Sequence, residues 1–271
     1  MAGGKIRIGN QTALAAASPD LPFEFALEHG FDAFEWFSDR RDERGWCEEL
    51  VDKAARKQLR ETCWKRKIAL SVHAPWQASP LMPEGMEQIH RCFDFASDVG
   101  AGLVNVHLFT ERGIEAFGRA LREPLERSVR SGISLSIENT PATGPDDFNR
   151  LFHAIEARYG DAARHVGMCL DMGHANLCPA TQNDYLGFLD RLGPQVPIIH
   201  VHAHENWGDG DSHLTLFTGP SAEDGAGVGE LVRRLAARGF AGSIILEQWP
   251  DPPELLVEAH RRLKDLLSEP A

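Results

Sequence analysis

Residues 200–213 read HVHAHENWGDGDSH, which puts four histidines and the carboxylates Glu205, Asp209 and Asp211 within fourteen residues. Mixed imidazole and carboxylate ligands suit zinc, manganese, iron or cobalt, whereas oxygen ligands alone suit magnesium or calcium. A polar loop has the same composition, so the rest of the chain must decide. Asp211 and His213 form a D-x-H arrangement that can pinch an ion from one side, with His174 as a third ligand. His200, His202 and His204 alternate along an apolar run and share one face of a strand, so they cannot all serve one ion. His202 is the ligand of the three. His200 is expected deeper in the strand as a packed, hydrogen-bonded group. His204, Glu205 and Asp209 are contacts of the ligands or of substrate.

Other chemistry-bearing residues sit near the ends of short apolar runs. They are His73 in KIALSVHAP, His107 in LVNVHLF, Glu138 in ISLSIEN, Asp171 and His174 in VGMCLDMGH, and Glu247 in SIILEQW. A carboxylate inside such a run requires compensation when it is buried. An arginine could provide that singly, but the six strand-end positions His73, His107, Glu138, Asp171, His202 and Glu247 together point to bound cations, and Glu138 could bridge two ions.

These side chains must be delivered by the elements around them. Eight apolar runs occur, at 5–10, 31–37, 67–75, 103–109, 133–139, 166–174, 198–204 and 243–249. Their short, apolar character suits strands buried on both faces. Helical patterns fall between them in PDLPFEFALEHG, CEELVDKAARKQLRETCWKRK, EGMEQIHRCFDFASDVG, AGVGELVRRLAARGF and PPELLVEAHRRLKDLLSE. Strand–helix alternation predicts a parallel sheet, and eight units in 271 residues predict an α/β fold of the (β/α)8 TIM-barrel type, one domain over 1–271. In such a barrel the C-terminal strand ends form the active-site mouth.

Composition narrows the function classes. Hydrophobic residues make up 42% and charged residues 25%, as in ordinary globular domains. No run reaches the ~18 apolar residues of a membrane span, and MAGGKIRIGN carries no apolar leader core. The net charge of -12 opposes grip on nucleic-acid phosphates. Five cysteines without a CxxC pair argue against a disulfide framework and for a reducing, cytoplasmic setting. GAGVG at 225–229 lacks the context of a dinucleotide fingerprint and the lysine of a P-loop. Trp36, Phe109, Trp207 and Trp249 fall at or beyond strand ends, where they would wall a substrate, with His204 as a further contact.

This set of residues resembles the xylose isomerase-like barrel superfamily, which contains sugar isomerases and epimerases and the endonuclease IV-type nucleases. The resemblance covers essentially the whole chain. Its epimerase branch implies a four-ligand core of Glu138, Asp171, His202 and Glu247, with the two glutamates moving a proton on and off carbon. The nuclease branch implies three zinc ions held by His73 in HAPW, His107 in NVHLF, Glu138 in IENT, Asp171 and His174 in CLDMGH, His202, Asp211 and His213 in DSH, and Glu247 in LEQ. All nine positions are matched. The chain departs from the nuclease at its first strand, GNQTA, and at Trp76, which stands where the nuclease has tyrosine.

The favoured expectation is a divalent-metal-dependent isomerase or epimerase of a sugar or sugar-like polyol, with Glu138 and Glu247 as acid and base. The second is a multinuclear zinc phosphodiester hydrolase. A metal-stabilised scaffold without catalysis is the third. The cofactor is one to three ions of zinc, manganese, cobalt or iron, the partner is a small carbohydrate-like molecule, and a homo-oligomer is left open.

Overall fold

The computed structural model describes residues 5–41 and 44–268. Eight strands are present: β1 (Arg7–Gln11), β2 (Ala33–Phe37), β3 (Ala69–His73), β4 (Leu103–His107), β5 (Ser134–Glu138), β6 (Val166–Asp171), β7 (Ile198–Ala203) and β8 (Ser243–Leu246). Each pairs in parallel with the next, and β8 closes on β1, giving a (β/α)8 barrel. Among the described residues ten α-helices flank the strands: α1 (Leu21–Glu28), α2 (Lys53–Arg66), α3 (Pro83–Val99), α4 (Ile114–Ala120), α5 (Arg122–Ser131), α6 (Pro145–Tyr159), α7 (Met172–Leu177), α8 (Tyr185–Arg191), α9 (Ala226–Ala237) and α10 (Glu254–Ser268). No helix among the described residues is long and apolar enough to cross a membrane.

Local chemistry explains the boundaries. Asp52 caps α2 by accepting a hydrogen bond from the Ala55 amide. Pro83 opens α3, and Gly100, with φ 77°, ends it in the left-handed conformation. The helices after β4, β5 and β6 lie outside the five helical patterns of the sequence. Two of those stretches are broken: α4 stops and α5 restarts around Leu121, and the short α7 begins directly after Asp171.

Strand alternation separates two environments. Outward-facing Phe34 and Trp36 pack into the helical layer, where Trp36 meets Trp46 at 5.0 Å and Phe95 of α3 at 6.2 Å between ring centroids. The barrel interior, apolar in most folds of this kind, carries here a polar tier of Glu35, Ser71, Asn105, Ser136 and His200, all buried. The tier lies one strand step below the ligand candidates. Part of it is linked upward by hydrogen bonds: Ser136 Oγ donates to Asn105 Oδ1 at 2.6 Å, and Asn105 Nδ2 donates to Glu138 Oε2 at 2.5 Å.

Candidate metal centre

The strand register sets the ligands side by side. His107 of β4 lies opposite Glu138 of β5, and Asp171 of β6 lies opposite His202 of β7. Glu138 is fully buried and central. Its Oε2 is 3.0 Å from His73 Nε2 and 3.3 Å from His202 Nδ1; its Oε1 is 3.4 Å from both His107 Nε2 and His174 Nδ1. Among the described residues four groups have one donor atom per residue within 4.8 Å of the others: three adjoining nests at the rim, namely Glu138, Asp171, His202 and Glu247; His73, Glu138 and His202; and His174, His204, Asp211 and His213; and a fourth of Cys169, His200 and His202. Thus all nine residues singled out as metal ligands gather at one rim, and His204 joins them: its Nε2 is 3.1 Å from Asp171 Oδ1 and 3.9 Å from Asp211 Oδ1.

The histidines are held from behind. Nδ1 of His73, His107, His174 and His213 meets the backbone oxygens of Ala74, Trp76, Asn139 and Glu247 at 2.6, 3.0, 2.8 and 2.8 Å. A carbonyl only accepts, so each Nδ1 carries a proton and each Nε2 is left to face the cluster, the arrangement typical of metal-ligating imidazole.

The loop after β7 brings Asp211 and His213 back over the mouth. Glu205 and Leu214 exchange two backbone hydrogen bonds of 2.8 Å, closing the loop at its base. The Glu205 carboxylate accepts from the Gly219 and Ser221 amides at 3.0 Å each, so this acid fastens the loop rather than touching substrate. His213 sits at φ 45°, a left-handed conformation uncommon for a non-glycine residue and often kept at functional loops.

Electrostatics divides the carboxyls. Burial opposes ionisation of Glu138 and Asp171, but the surrounding imidazoles outweigh it and hold both well below the usual carboxylate range. Glu247 goes the other way: burial, with Glu138 and Asp171 nearby, pushes it up to about 8 despite His202 and His213. Burial disfavours charge on His174, yet Asp171, Asp211 and Glu138 raise it well above its ordinary value. His213 is raised to about 9 by Asp211, Glu247 and Asp171 acting against burial.

The donor set fits a divalent metal. His202 Nδ1 and Glu247 Oε2, 3.5 Å apart in the nest with Glu138 and Asp171, are buried and make no hydrogen bond, and neither does Glu138 Oε1, which faces His107 and His174. Three buried polar atoms left without partners carry a substantial cost unless a cation coordinates them.

A cavity of about 500 Å³ opens over the rim, lined by His107, His174, Asp211, His213 and Glu247 and walled by Phe37, Trp76 and Phe109. Of the expected substrate walls, only Phe109 stands there. Trp36 is in the outer core, and Trp249 packs edge-on against Phe25 at 5.4 Å, because strand alternation and the turn after β8 direct both rings outward. Trp207 is 61% exposed and lines a separate cavity of about 300 Å³ with His204, Asn176, Asn183 and Tyr185.

Sequence reasoning missed three residues of the site. Asn139 pins Asp171, donating to its backbone oxygen and accepting from its amide at 2.9 Å each. Asn105 supports Glu138 from below. Glu35, fully buried, stands 2.8 Å from Nε2 of both His200 and His202. The signal that exposed Glu138 and Glu247, an acid inside an apolar run, is equally present in FDAFEWF.

The chain belongs to the xylose isomerase-like TIM barrel family, whose model matches residues 23–266. An uncharacterized protein of Sinorhizobium fredii, y4fM, is 30% identical over 166 residues, 57% of this chain and 49% of that protein, so the match spans about half of its length. Among solved structures, a D-tagatose 3-epimerase-like protein superposes with a TM-score of 0.72 at 22% identity, covering 96% of this chain and 97% of that one. Endonuclease IV from Thermus thermophilus superposes with a TM-score of 0.63 at 21% identity, covering 97% and 100%. At these identities the two likenesses concern the fold.

Proposed function

We propose that the protein is a multinuclear metal-dependent hydrolase of small phosphate esters. The observation that carries this reading is Glu138. Both of its oxygens face imidazoles of neighbouring nests, and it is absent from the wall of the mouth. A carboxylate enclosed in this way joins ligand sites and does not reach a substrate carbon. Charge supports the same reading. Glu35, Glu138, Asp171, Asp211 and Glu247 put five carboxylates in and under the cluster. With all five ionised on metal binding, one divalent ion leaves three negative charges to be met by protonated histidines, whereas three ions turn the cluster to +1, a setting that favours an anionic substrate.

Divalent ions held there would supply Lewis acidity toward phosphoryl oxygens and lower the pKa of water. The chain's own residues do the rest. His107, His174, Asp211, His213 and Glu247 orient the reacting group at the rim. Trp76 and Phe109 exclude water from one side of the mouth. Arg41 brings the one lysine or arginine charge among the residues lining it. The cavity volume and the net charge of -12 favour a small ester over a duplex.

Elemental analysis and ester hydrolysis test this together. The expected result is two or three ions per chain, with release of nitrophenolate from 4-nitrophenyl phosphate or its bis-ester that is lost on chelation and restored by zinc or manganese. One ion per chain, with no release from either ester after metal is restored, overturns it.

One observation favours a second reading, the isomerase or epimerase of a sugar-like polyol. Glu247 retains a proton near neutrality at the mouth, beside ionised Glu138, and carboxyls pushed apart in this way often divide acid and base roles. Under this reading a ketose incubated in D2O gains deuterium at the reacting carbon, and Glu247→Gln abolishes that exchange. Retention of the exchange in the variant removes Glu247 from the proton transfer.

A further inference from the structure

We infer that Glu35 is the positioning residue of the central nest: it fixes the His202 ring so that Nδ1, not Nε2, is the ligand atom. This rests on the metal reading of the site but not on which reaction the site performs.

Glu35 is fully buried in the barrel. Its oxygens lie 2.8 Å from His200 Nε2 and 2.8 Å from His202 Nε2, and no lysine or arginine pairs with it among its described contacts. A buried carboxylate without a guanidinium requires hydrogen-bond donors, and an ionised carboxylate can only accept. His200 Nε2 supplies one such bond; His202 Nε2, 2.8 Å from the other oxygen but not aligned for a hydrogen bond, must likewise present a hydrogen, because a lone pair there would face a lone pair. On His202 that choice leaves the Nδ1 lone pair directed to the other side of the ring, 3.3 Å from Glu138, 3.9 Å from Asp171 and 3.5 Å from Glu247. The reverse tautomer would leave Glu35 facing a lone pair and deprive the nest of its imidazole donor.

His202 is unlike the other anchored ligands. His73, His107, His174 and His213 hold their proton on Nδ1 against backbone carbonyls and offer Nε2. For His202 the anchor is a side chain and the ligand atom is reversed, so the device is open to mutation. His200 completes it by occupying the second Glu35 oxygen, which keeps the carboxylate from rotating away from His202.

Two measurements test the inference. The first uses Glu35→Gln, which preserves volume and removes the obligatory acceptor. The expected outcome is a folded, metal-free chain near wild-type thermal stability, with one ion bound ~10–100-fold more weakly in chelator competition, the usual effect of removing such a support. The visible spectrum of the cobalt-substituted variant should shift as well. A role confined to packing would lower the stability of the metal-free chain and leave affinity and spectrum alone. Wild-type affinity for every ion with an unchanged cobalt spectrum overturns the inference. The second needs no variant to fold: long-range ¹H–¹⁵N correlations of histidine in the zinc-loaded wild type. One ring coordinated through Nδ1 with a protonated Nε2 is expected, and that ring should be His202. Coordination of every bound histidine through Nε2 overturns the inference, even if the ester hydrolysis succeeds. A wild-type chain that binds no divalent ion removes it along with the metal reading.

Discussion

Glu35, Glu138 and Glu247 each interrupt an apolar strand run, and each ends in a different environment. Glu138 is ringed by imidazoles, Glu247 reaches the mouth, and Glu35 supports the tier below. The residue types were legible in the sequence because acids rarely lie within such runs unless something compensates them. What spacing could not supply was which neighbour faced inward. Period two turns Glu35 into the barrel and Trp36 out of it, so the tryptophan assigned to the substrate wall belongs to the core and the acid beside it to the site. The clearest single-residue consequence concerns Glu138. Glu138→Gln removes the charge common to two nests, so at least two ions should be lost together, along with ester hydrolysis. Elemental analysis of the purified variant checks this, and loss of one ion alone would separate the nests.

At the scale of elements, the strands were legible from apolar runs and the mouth from their polar tips, whereas α4 to α8 were not: α4, α5, α7 and α8 are short and bury too narrow a stripe to set a clear period, and the longer α6 was missed although it buries Phe148, Leu151, Phe152 and Ile155. The loop after β7 was readable only in part: its D-x-H ligands stand in the sequence, but the Glu205–Leu214 pairing that folds them back does not. Two glycines distinguish what the ends of the barrel do. At Gly173 in α7, an added Cβ would stand 2.0 Å from His204 Cε1; at Gly242, before β8, it would stand 2.1 Å from the Ile199 carbonyl oxygen. Overpacking at either place costs roughly 1–3 kcal/mol. Gly242→Ala acts at the strand-start end, remote from the mouth, and should lower denaturant stability while each folded molecule keeps wild-type metal affinity. Gly173→Ala displaces His204 and should weaken the ion held with His174, Asp211 and His213. Denaturant titration paired with chelator competition checks both, and equal metal affinities in the two variants would contradict the division.

The whole molecule couples these effects through protons. Without metal, His174, His202 and His213 are all raised, His213 to about 9. Each stabilises the folded chain fully below the unfolded histidine value near ~6.5, and that contribution is lost as pH rises through the folded value. Glu247, raised to about 8, acts in the same direction: the folded chain retains a proton that the unfolded chain releases near ~4.3, so stability falls as pH climbs toward 8. Asp171 and Glu138, held low, contribute above the ordinary carboxylate range and lose that contribution only in acid. Burial lowers His73 and His204, which costs stability below ~6.5. The metal-free chain should therefore be most stable at about pH 6–7, as the opposing shifts balance at roughly the unfolded histidine value, and weaken toward pH 9. Bound ions replace those protons, so affinity rises over the same interval. An ion present at about a hundred times its Kd adds ~2.7 kcal/mol. In a chain of this size each kcal/mol moves Tm by about 2–4 °C. Chelation should then lower Tm by roughly 5–10 °C per ion at pH 8.5 and by much less at pH 5.5. Scanning fluorimetry with and without chelator across that range measures the gap. A gap that stays constant with pH would mean that protons and ions do not compete for the same imidazoles and carboxylates, and the shared cluster would have to be abandoned.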